Sequence, residues 1–149
     1  MQMMLKIKTF EELTTTELYE ILLLRSETFI VEQGGRYQDL DRIDYRSIHI
    51  FYENIKHEVV GCLRIYPKDD EPQTVEVGRV VTRERNHGIG SALIQQAAVT
   101  AKEYYDAKEL YLTGRKSALG FYLKCGFYPV SEELWASGTP YYELRCALS

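Results

Sequence analysis

A strand, a glycine-rich turn and an amphipathic helix follow one another in the middle of this 149-residue chain. The strand is predicted over Thr74–Thr82, a segment rich in valine. The run Arg85-Asn86-His87-Gly88-Ile89-Gly90-Ser91 comes next. A helix is then predicted to about Tyr105, because apolar residues recur every four positions from Ile89. Such a unit predicts a parallel strand pair with a right-handed crossover.

The rest of the sequence predicts further strands and helices. Further strands are predicted at Leu5–Phe10, Ser47–Glu53, Val59–Tyr66, Glu109–Thr113, Tyr128–Leu134 and Tyr141–Ala147. Helices are predicted from a Thr14–Glu17 capping box to about Phe29, and over Ser117–Lys124. The order β-α-β-β-β-α-β-α-β-β predicts an α+β fold (an α/β sandwich) on a mixed, mostly antiparallel sheet flanked by helices. A chain of this length predicts a single domain, residues 1–149.

Composition excludes several classes of function. The net charge of −4 argues against a nucleic-acid-binding surface. The three cysteines lack CxxC spacing, so we expect no disulfide framework, no metal site and a cytoplasmic location. The longest apolar run, Ile21–Leu24, is too short to cross a bilayer, and the N-terminal residues lack a signal-peptide pattern. We therefore expect no membrane partner.

The glycine-rich run has the properties of an anion site. A helix N-terminus presents unpaired N–H groups and a partial positive charge. Gly88 and Gly90 remove side chains, so that a phosphate can approach the backbone. Arg79, Arg83 and the basic residues of the run are expected to add positive potential. Neither the dinucleotide-binding nor the P-loop pattern is complete, and a glycine-rich helix start without a ligand is the alternative.

Two motifs in order resemble the GNAT acyltransferases. Arg85-Asn86-His87-Gly88-Ile89-Gly90 is similar to the [QR]-x-x-G-x-[GA] hallmark of that superfamily. Phe121-Tyr122-Leu123-Lys124-Cys125-Gly126-Phe127 is similar to its F-Y-x-x-x-G-F helix. Phe29–Gln33, Tyr37–Asp41 and Gly78–Val81 resemble the ElaA-like branch in particular. Where that branch typically has His, this chain has Tyr141, so the resemblance implies no particular substrate.

The resemblance implies an acetyl-CoA donor and assigns residues to it. In the family the cofactor lies in a split between the fourth and fifth strands. Backbone amides within the glycine-rich run would hold the pyrophosphate, and backbone groups of the fourth strand would contact the pantetheine arm and polarise the thioester carbonyl. The implied cofactor-binding residues are Val80, Val81, Thr82, Arg85, Asn86, His87, Gly88, Ile89, Gly90, Ser91, Phe121 and Lys124.

The resemblance further implies transfer of the acetyl group to a primary amine by direct attack in a ternary complex. Tyr122 would protonate the departing CoA thiolate, because a phenol keeps its proton at neutral pH. Glu76, on the fourth strand, is the candidate base, and Glu32, Asp39 and Asp41 are alternatives.

The acceptor side is less defined. Glu32, Tyr37, Asp39 and Tyr141 are candidate substrate contacts, and their acidic members suit a cationic amine. The acceptor itself stays open between a small amine, an amino acid and a protein amine, and either a monomer or a homodimer is compatible. A CoA-binding sensor without catalysis is the alternative function.

Overall fold

A computed structural model describes residues 3–35, 37–83 and 88–149. These residues form three α-helices: α1 (Thr15–Arg25), α2 (Ile89–Tyr105) and α3 (Leu119–Lys124). They form eight strands: β1 (Met3–Thr9), β2 (Ile48–Asn54), β3 (Val59–Pro67), β4 (Thr74–Thr82), β5 (Glu109–Arg115), β6 (Tyr128–Pro129), β7 (Leu134–Ala136) and β8 (Thr139–Ala147). None of the described helices is both long and apolar enough to cross a membrane.

The strands belong to one mixed sheet in the order β1-β2-β3-β4-β5-β8-β6, with β7 paired to β8. The β4–β5 pair is parallel, whereas β1–β2, β2–β3, β5–β8, β6–β8 and β7–β8 are antiparallel. The predicted α+β class, the mostly antiparallel sheet and the central parallel pair are therefore confirmed.

Most predicted elements differ from the observed ones by a few end residues, and two differ in kind. The first helix begins at the Thr14–Glu17 capping box, but after Arg25 it continues as a π-helical segment, Ser26–Glu32. The strand predicted over Tyr128–Leu134 is instead two short strands, β6 and β7. Pro129 stands at the break and has no N–H group with which to extend a ladder.

The chain divides into two compact units. The first comprises Met1–Ile65 and Arg79–Leu93. Its apolar core joins α1, β2, β3 and the end of β4 through Ile21, Leu24, Phe51, Val59, Cys62 and Val81. Glu17, in the first turn of α1, accepts hydrogen bonds from Lys6 of β1 at 2.7 Å and from Lys8 of β1 at 2.8 Å. The start of helix α1 is thereby held against the edge strand.

The second unit comprises Tyr66–Gly78 and Ile94–Ser149. Strand β5 lies at its centre and pairs with β8 along its whole length, from Glu109↔Ala147 to Arg115↔Tyr141. One face of these strands carries the buried side chains of Leu110, Leu112 and Leu144. The β7–β8 connection turns through two residues with positive φ, Ser137 and Gly138, which is typical of a tight hairpin.

Candidate active site

Tyr122 lies on the short helix α3 with its ring packed into the second unit. The residue is 8% exposed, and its ring makes edge contacts with Phe121 and Phe127, at centroid distances of 5.1 and 5.9 Å. Strand β5 accommodates the ring through Gly114. A Cβ at that position would lie 2.9 Å from Tyr122 Cε2 and 3.0 Å from Leu144 Cδ1. A side chain at Gly114 would therefore displace the tyrosine.

Burial raises the pKa of Tyr122 to about 12. The phenolate would be poorly solvated among these apolar rings, so the neutral form is favoured. Tyr122 thus holds its proton throughout the neutral and mildly alkaline range.

Glu76 lies on β4 in register with Tyr111 of β5, and the parallel ladder between these strands covers Thr74–Glu76 and Glu109–Tyr111. The Tyr111 hydroxyl donates a hydrogen bond of 2.5 Å to Glu143 Oε1. Burial raises the pKa of Tyr111, and this hydrogen bond and the charges of Glu143 and Glu76 raise it further. Sequence reasoning missed the Tyr111–Glu143 pair, because its partners come from two strands distant in the chain.

Glu76 and Tyr122 lie on opposite faces of the sheet within the second unit. Side chains alternate along β5, so Tyr111 points to one face and Gly114 faces the other. Glu76 shares the face of its register partner Tyr111, whereas Tyr122 packs on Gly114. The two predicted catalytic side chains therefore approach the strand pair from opposite sides.

The described part of the glycine-rich run forms the start of α2. Gly88 has φ +74°, and open space surrounds the position that a Cβ would take. The N–H groups of the first helical turn, from Ile89 to Ser91, have no carbonyl partner inside the helix. This geometry fits a phosphate held by backbone donors. Arg85, Asn86 and His87 lie outside the described residues.

Val80, Val81 and Thr82 form the end of β4 in the first unit. The Val81 side chain is 4% exposed and belongs to the apolar core, so only its backbone is available to a ligand. The residue before them, Arg79, has φ +52° inside the strand.

The other predicted contacts are spread over both units. Phe121 is half-buried and Lys124 exposed on α3. Tyr141 is half-buried on β8, where it pairs with Arg115 and Leu134. Glu32 is exposed at the end of the π-helical segment.

Asp39 belongs to a set of six ionised side chains that we name the Arg–Asp cluster: Arg25, Arg64, Arg79, Asp39, Asp41 and Asp44. Asp39 Oδ2 lies 3.0 Å from Arg25 Nε, and its Oδ1 lies 2.8 Å from Arg79 Nε. Both oxygens of Asp39 are therefore engaged by arginines. Its contact with the acceptor stays a prediction.

Asp41 and Asp44 complete the cluster. Burial alone would raise the pKa of Asp41, but hydrogen bonds and charge from Arg64 bring it down to about 2. Asp44 accepts hydrogen bonds from Arg25 at 2.8 Å and from Arg64 at 3.1 Å. With three arginines and three aspartates the cluster is neutral overall.

These pairs correct the expected positive potential near the glycine-rich run. The charge of Arg79 is offset by Asp39 and Asp41. Arg83 pairs with Glu27 of the π-helical segment at 2.9 Å. Anion binding by the described residues would therefore depend on the backbone N–H groups at the start of α2 rather than on these two guanidinium groups.

Comparison with known proteins identifies the family. The model of the acetyltransferase (GNAT) family matches residues 15–127. The chain belongs to the GNAT family. The UPF0039 protein C11D3.02c of Schizosaccharomyces pombe is 36% identical over 144 residues, covering 95% of each chain. Protein ElaA of Escherichia coli is 33% identical over 133 residues, covering 87% of each chain.

Solved structures agree with this assignment. The crystal structure of E. coli ElaA has 30% identity and a TM-score of 0.89, covering 97% of this chain and 99% of that one. An acyl-CoA N-acyltransferase from Pseudomonas aeruginosa has 28% identity and a TM-score of 0.88, covering 98% and 100%. The ElaA-like resemblance is thus confirmed. This GNAT chain has a fold that binds acyl-CoA and supports acyl transfer to an acceptor.

Proposed function

We propose that this GNAT protein transfers an acetyl group from acetyl-CoA to a primary amine by direct attack in a ternary complex, with residues 1–149 working as one domain. The observation that carries the proposal is the placement of Tyr122 and Glu76 on opposite faces of the β4–β5 pair. On one face Tyr122 would donate a proton to the departing CoA thiolate. On the other face Glu76 would accept a proton from the attacking amine. A cytoplasmic location suits the free cysteines.

The donor would be held mainly by backbone groups. The amides of Gly88–Ser91, with Arg85, Asn86 and His87 before them, would bind the pyrophosphate. The backbone of Val80, Val81 and Thr82 would contact the pantetheine arm, and an N–H near Val81 would polarise the thioester carbonyl. Phe121 and Lys124 of α3 are the further candidate cofactor contacts.

The reaction exchanges a C–S bond for a C–N bond. The nitrogen lone pair of the neutral amine attacks the thioester carbon, and the sulphur leaves with the C–S bonding electrons. Tyr122 gives its hydroxyl proton to that sulphur, and the proton lost by the amine passes to Glu76 or to water. Burial raises the pKa of Tyr122 to about 12, so the hydroxyl keeps its proton until the thiolate departs beside it.

The acceptor would approach from the face that carries Glu76. Glu76 is half-buried in register with Tyr111, and its negative charge on this face would attract an ammonium group. Glu32, Tyr37, Asp39 and Tyr141 remain the candidate substrate contacts. Of these, Asp39 is also paired with arginines of the Arg–Asp cluster.

The proposal is tested by measuring thiol release from acetyl-CoA over a panel of small amines, amino acids and peptides. We expect amine-dependent release, and we expect Tyr122→Phe to lower kcat by about 100-fold at similar acetyl-CoA affinity, since general acid catalysis contributes on this order. Wild-type kcat in Tyr122→Phe would remove the role of Tyr122.

Calorimetric titration with acetyl-CoA distinguishes a CoA-binding sensor from a protein that does not bind acetyl-CoA. Tight binding without thiol release from any amine would favour the sensor. Absence of binding would overturn both functions.

A further inference from the structure

Arg79 has a backbone conformation that is unusual for its residue type. Its φ is +52°, in the left-handed region, although it lies inside strand β4. The parallel ladder of β4 covers Thr74–Glu76 and so ends shortly before this residue. A non-glycine residue persists in this conformation when its surroundings over-determine it, and such residues concentrate at functional sites.

The side chain of Arg79 is anchored at several points within the first unit. Its Nε lies 2.8 Å from Asp39 Oδ1, and its Nη2 donates to the Asp39 carbonyl oxygen at 3.0 Å. The same Nη2 lies 3.3 Å from Asp41 Oδ2. The Tyr37 ring covers the guanidinium, with Cζ 5.2 Å from the ring centroid. The ion pair with Asp39 fixes the position of the charge, and the Nη2 hydrogen bonds with the Tyr37 ring hold the plane of the guanidinium.

The anchors are themselves held by other arginines. The second carboxylate oxygen of Asp39 pairs with Arg25, which is 1% exposed. Asp41 receives both Nη groups of Arg64, at 2.9 and 2.7 Å, and Arg64 is 2% exposed. Moving Arg79 would leave one buried carboxylate oxygen, Asp39 Oδ1, without its ion-pair partner, which is costly. The Arg–Asp cluster thus forms a rigid support beneath this point of β4.

We propose that Arg79 is a positioning residue, whose anchored guanidinium holds β4 in the left-handed conformation and so sets the direction of the N–H groups of Val80 and Val81. The inference rests on the proposed function, in which those groups contact the thioester arm. A shift in their direction would reduce stabilisation of the reacting carbonyl, because donors must be aimed where negative charge develops.

We expect the Arg79 side chain, and not only its backbone angle, to determine the direction of these N–H groups. Glycine adopts positive φ without strain, so Arg79→Gly allows the observed backbone and removes the anchor. Asp39→Asn leaves the sequence of β4 unchanged and removes the charge that holds Arg79. Arg79→Lys keeps the positive charge and loses the planar fork, so a partial rescue is expected.

Lys6→Gln is the matched control. Lys6 also belongs to the first unit, and its exposed fraction of 23% is close to the 21% of Arg79. It pairs with Glu17 and with Glu53, both at 2.7 Å, away from β4. Its loss reports the general effect of breaking ion pairs in this unit.

The first measurement is amide hydrogen exchange over residues 78–82 in the protein without ligand. We expect exchange there to rise by roughly 10-fold in Arg79→Gly and in Asp39→Asn, and to stay near the wild-type rate in Lys6→Gln. Equal exchange in all three variants would overturn the anchoring role.

The second measurement separates kcat from acetyl-CoA affinity. We expect kcat to fall by about 10–100-fold in Arg79→Gly, because small misplacements of catalytic groups cost rates of this order. The Kd for acetyl-CoA, measured by calorimetry, should rise by less, on the order of 3-fold. Raised exchange with wild-type kcat would overturn the positioning role. Absence of acyl transfer by the wild-type protein refutes the proposed function instead, and the exchange data still decide whether Arg79 is an anchor.

Discussion

Replacing Gly114 by alanine tests the packing that places Tyr122. The new Cβ would lie 2.9 Å from Tyr122 Cε2 and 3.0 Å from Leu144 Cδ1, closer than side-chain carbons tolerate. Leu144 is fully buried, so the tyrosine has to move. We expect Gly114→Ala to lower both stability and kcat.

The magnitude follows from two opposing effects. Overpacking by a methyl group costs about 1–3 kcal/mol. The lower chain entropy of unfolded alanine offsets about 0.4–1 kcal/mol of this. With the middle of each range, the net loss of unfolding free energy is about 1.3 kcal/mol, or a fall in Tm of about 3–5 °C for a chain of this size.

Gly120→Ala is the matched control. Gly120 lies on α3 beside Tyr122, and open space surrounds its Cβ position. Alanine in a helix is favoured over glycine by about 0.5–1 kcal/mol, so this variant should be slightly more stable, with unchanged kcat. Urea unfolding followed by circular dichroism and the thiol-release assay measure both effects. Equal stability and equal kcat in the two variants would refute the packing argument.

Three further predictions concern proton binding and the Arg–Asp cluster. Because burial raises the pKa of Tyr122 to about 12, the ratio of wild-type to Tyr122→Phe kcat should be constant from about pH 6 to 9. Burial alone would raise the pKa of Glu17, but hydrogen bonds from Lys6 and Lys8 lower it to about 2. Its stabilisation is thus complete above its unfolded pKa and is lost as the pH falls toward 2, so the stability advantage over Glu17→Gln in urea titrations should shrink by about 2 kcal/mol between pH 6 and 3. Arg25→Met should lower the unfolding free energy by about 3–5 kcal/mol, since two buried carboxylates lose a partner, and a loss below about 1 kcal/mol would contradict this role.

Local patterns predicted the central strand and its helix well. The bounds of β4 match the prediction, because β-branched residues mark a buried strand from end to end. The Thr14–Glu17 capping box also formed as predicted. The π-helical segment Ser26–Glu32 was missed, because the apolar spacing of a helix continues through it without a proline or glycine.

The partners of Asp39 and Asp41 could not be predicted from local sequence. Both aspartates lie within a polar, aromatic stretch, where a carboxylate is ordinarily expected to face solvent or an acceptor. Their arginines lie as far as 40 residues away in the chain. The sequence nevertheless contained an indication of these ion pairs. Arg64 lies inside a buried strand, and Arg25 lies on the apolar side of a helix. Charged groups at such positions require partners.

The stoichiometry of one reaction tests the account most directly. Acetyl-CoA, the wild-type protein and an accepted primary amine are mixed, and the free CoA thiol and the N-acetyl product are quantified together by mass spectrometry. Direct transfer predicts equal amounts of thiol and amide at every time point, with neither formed when the amine is omitted. Thiol release that continues without the amine, or that exceeds the amide, would contradict acyl transfer to an amine as the function of this protein.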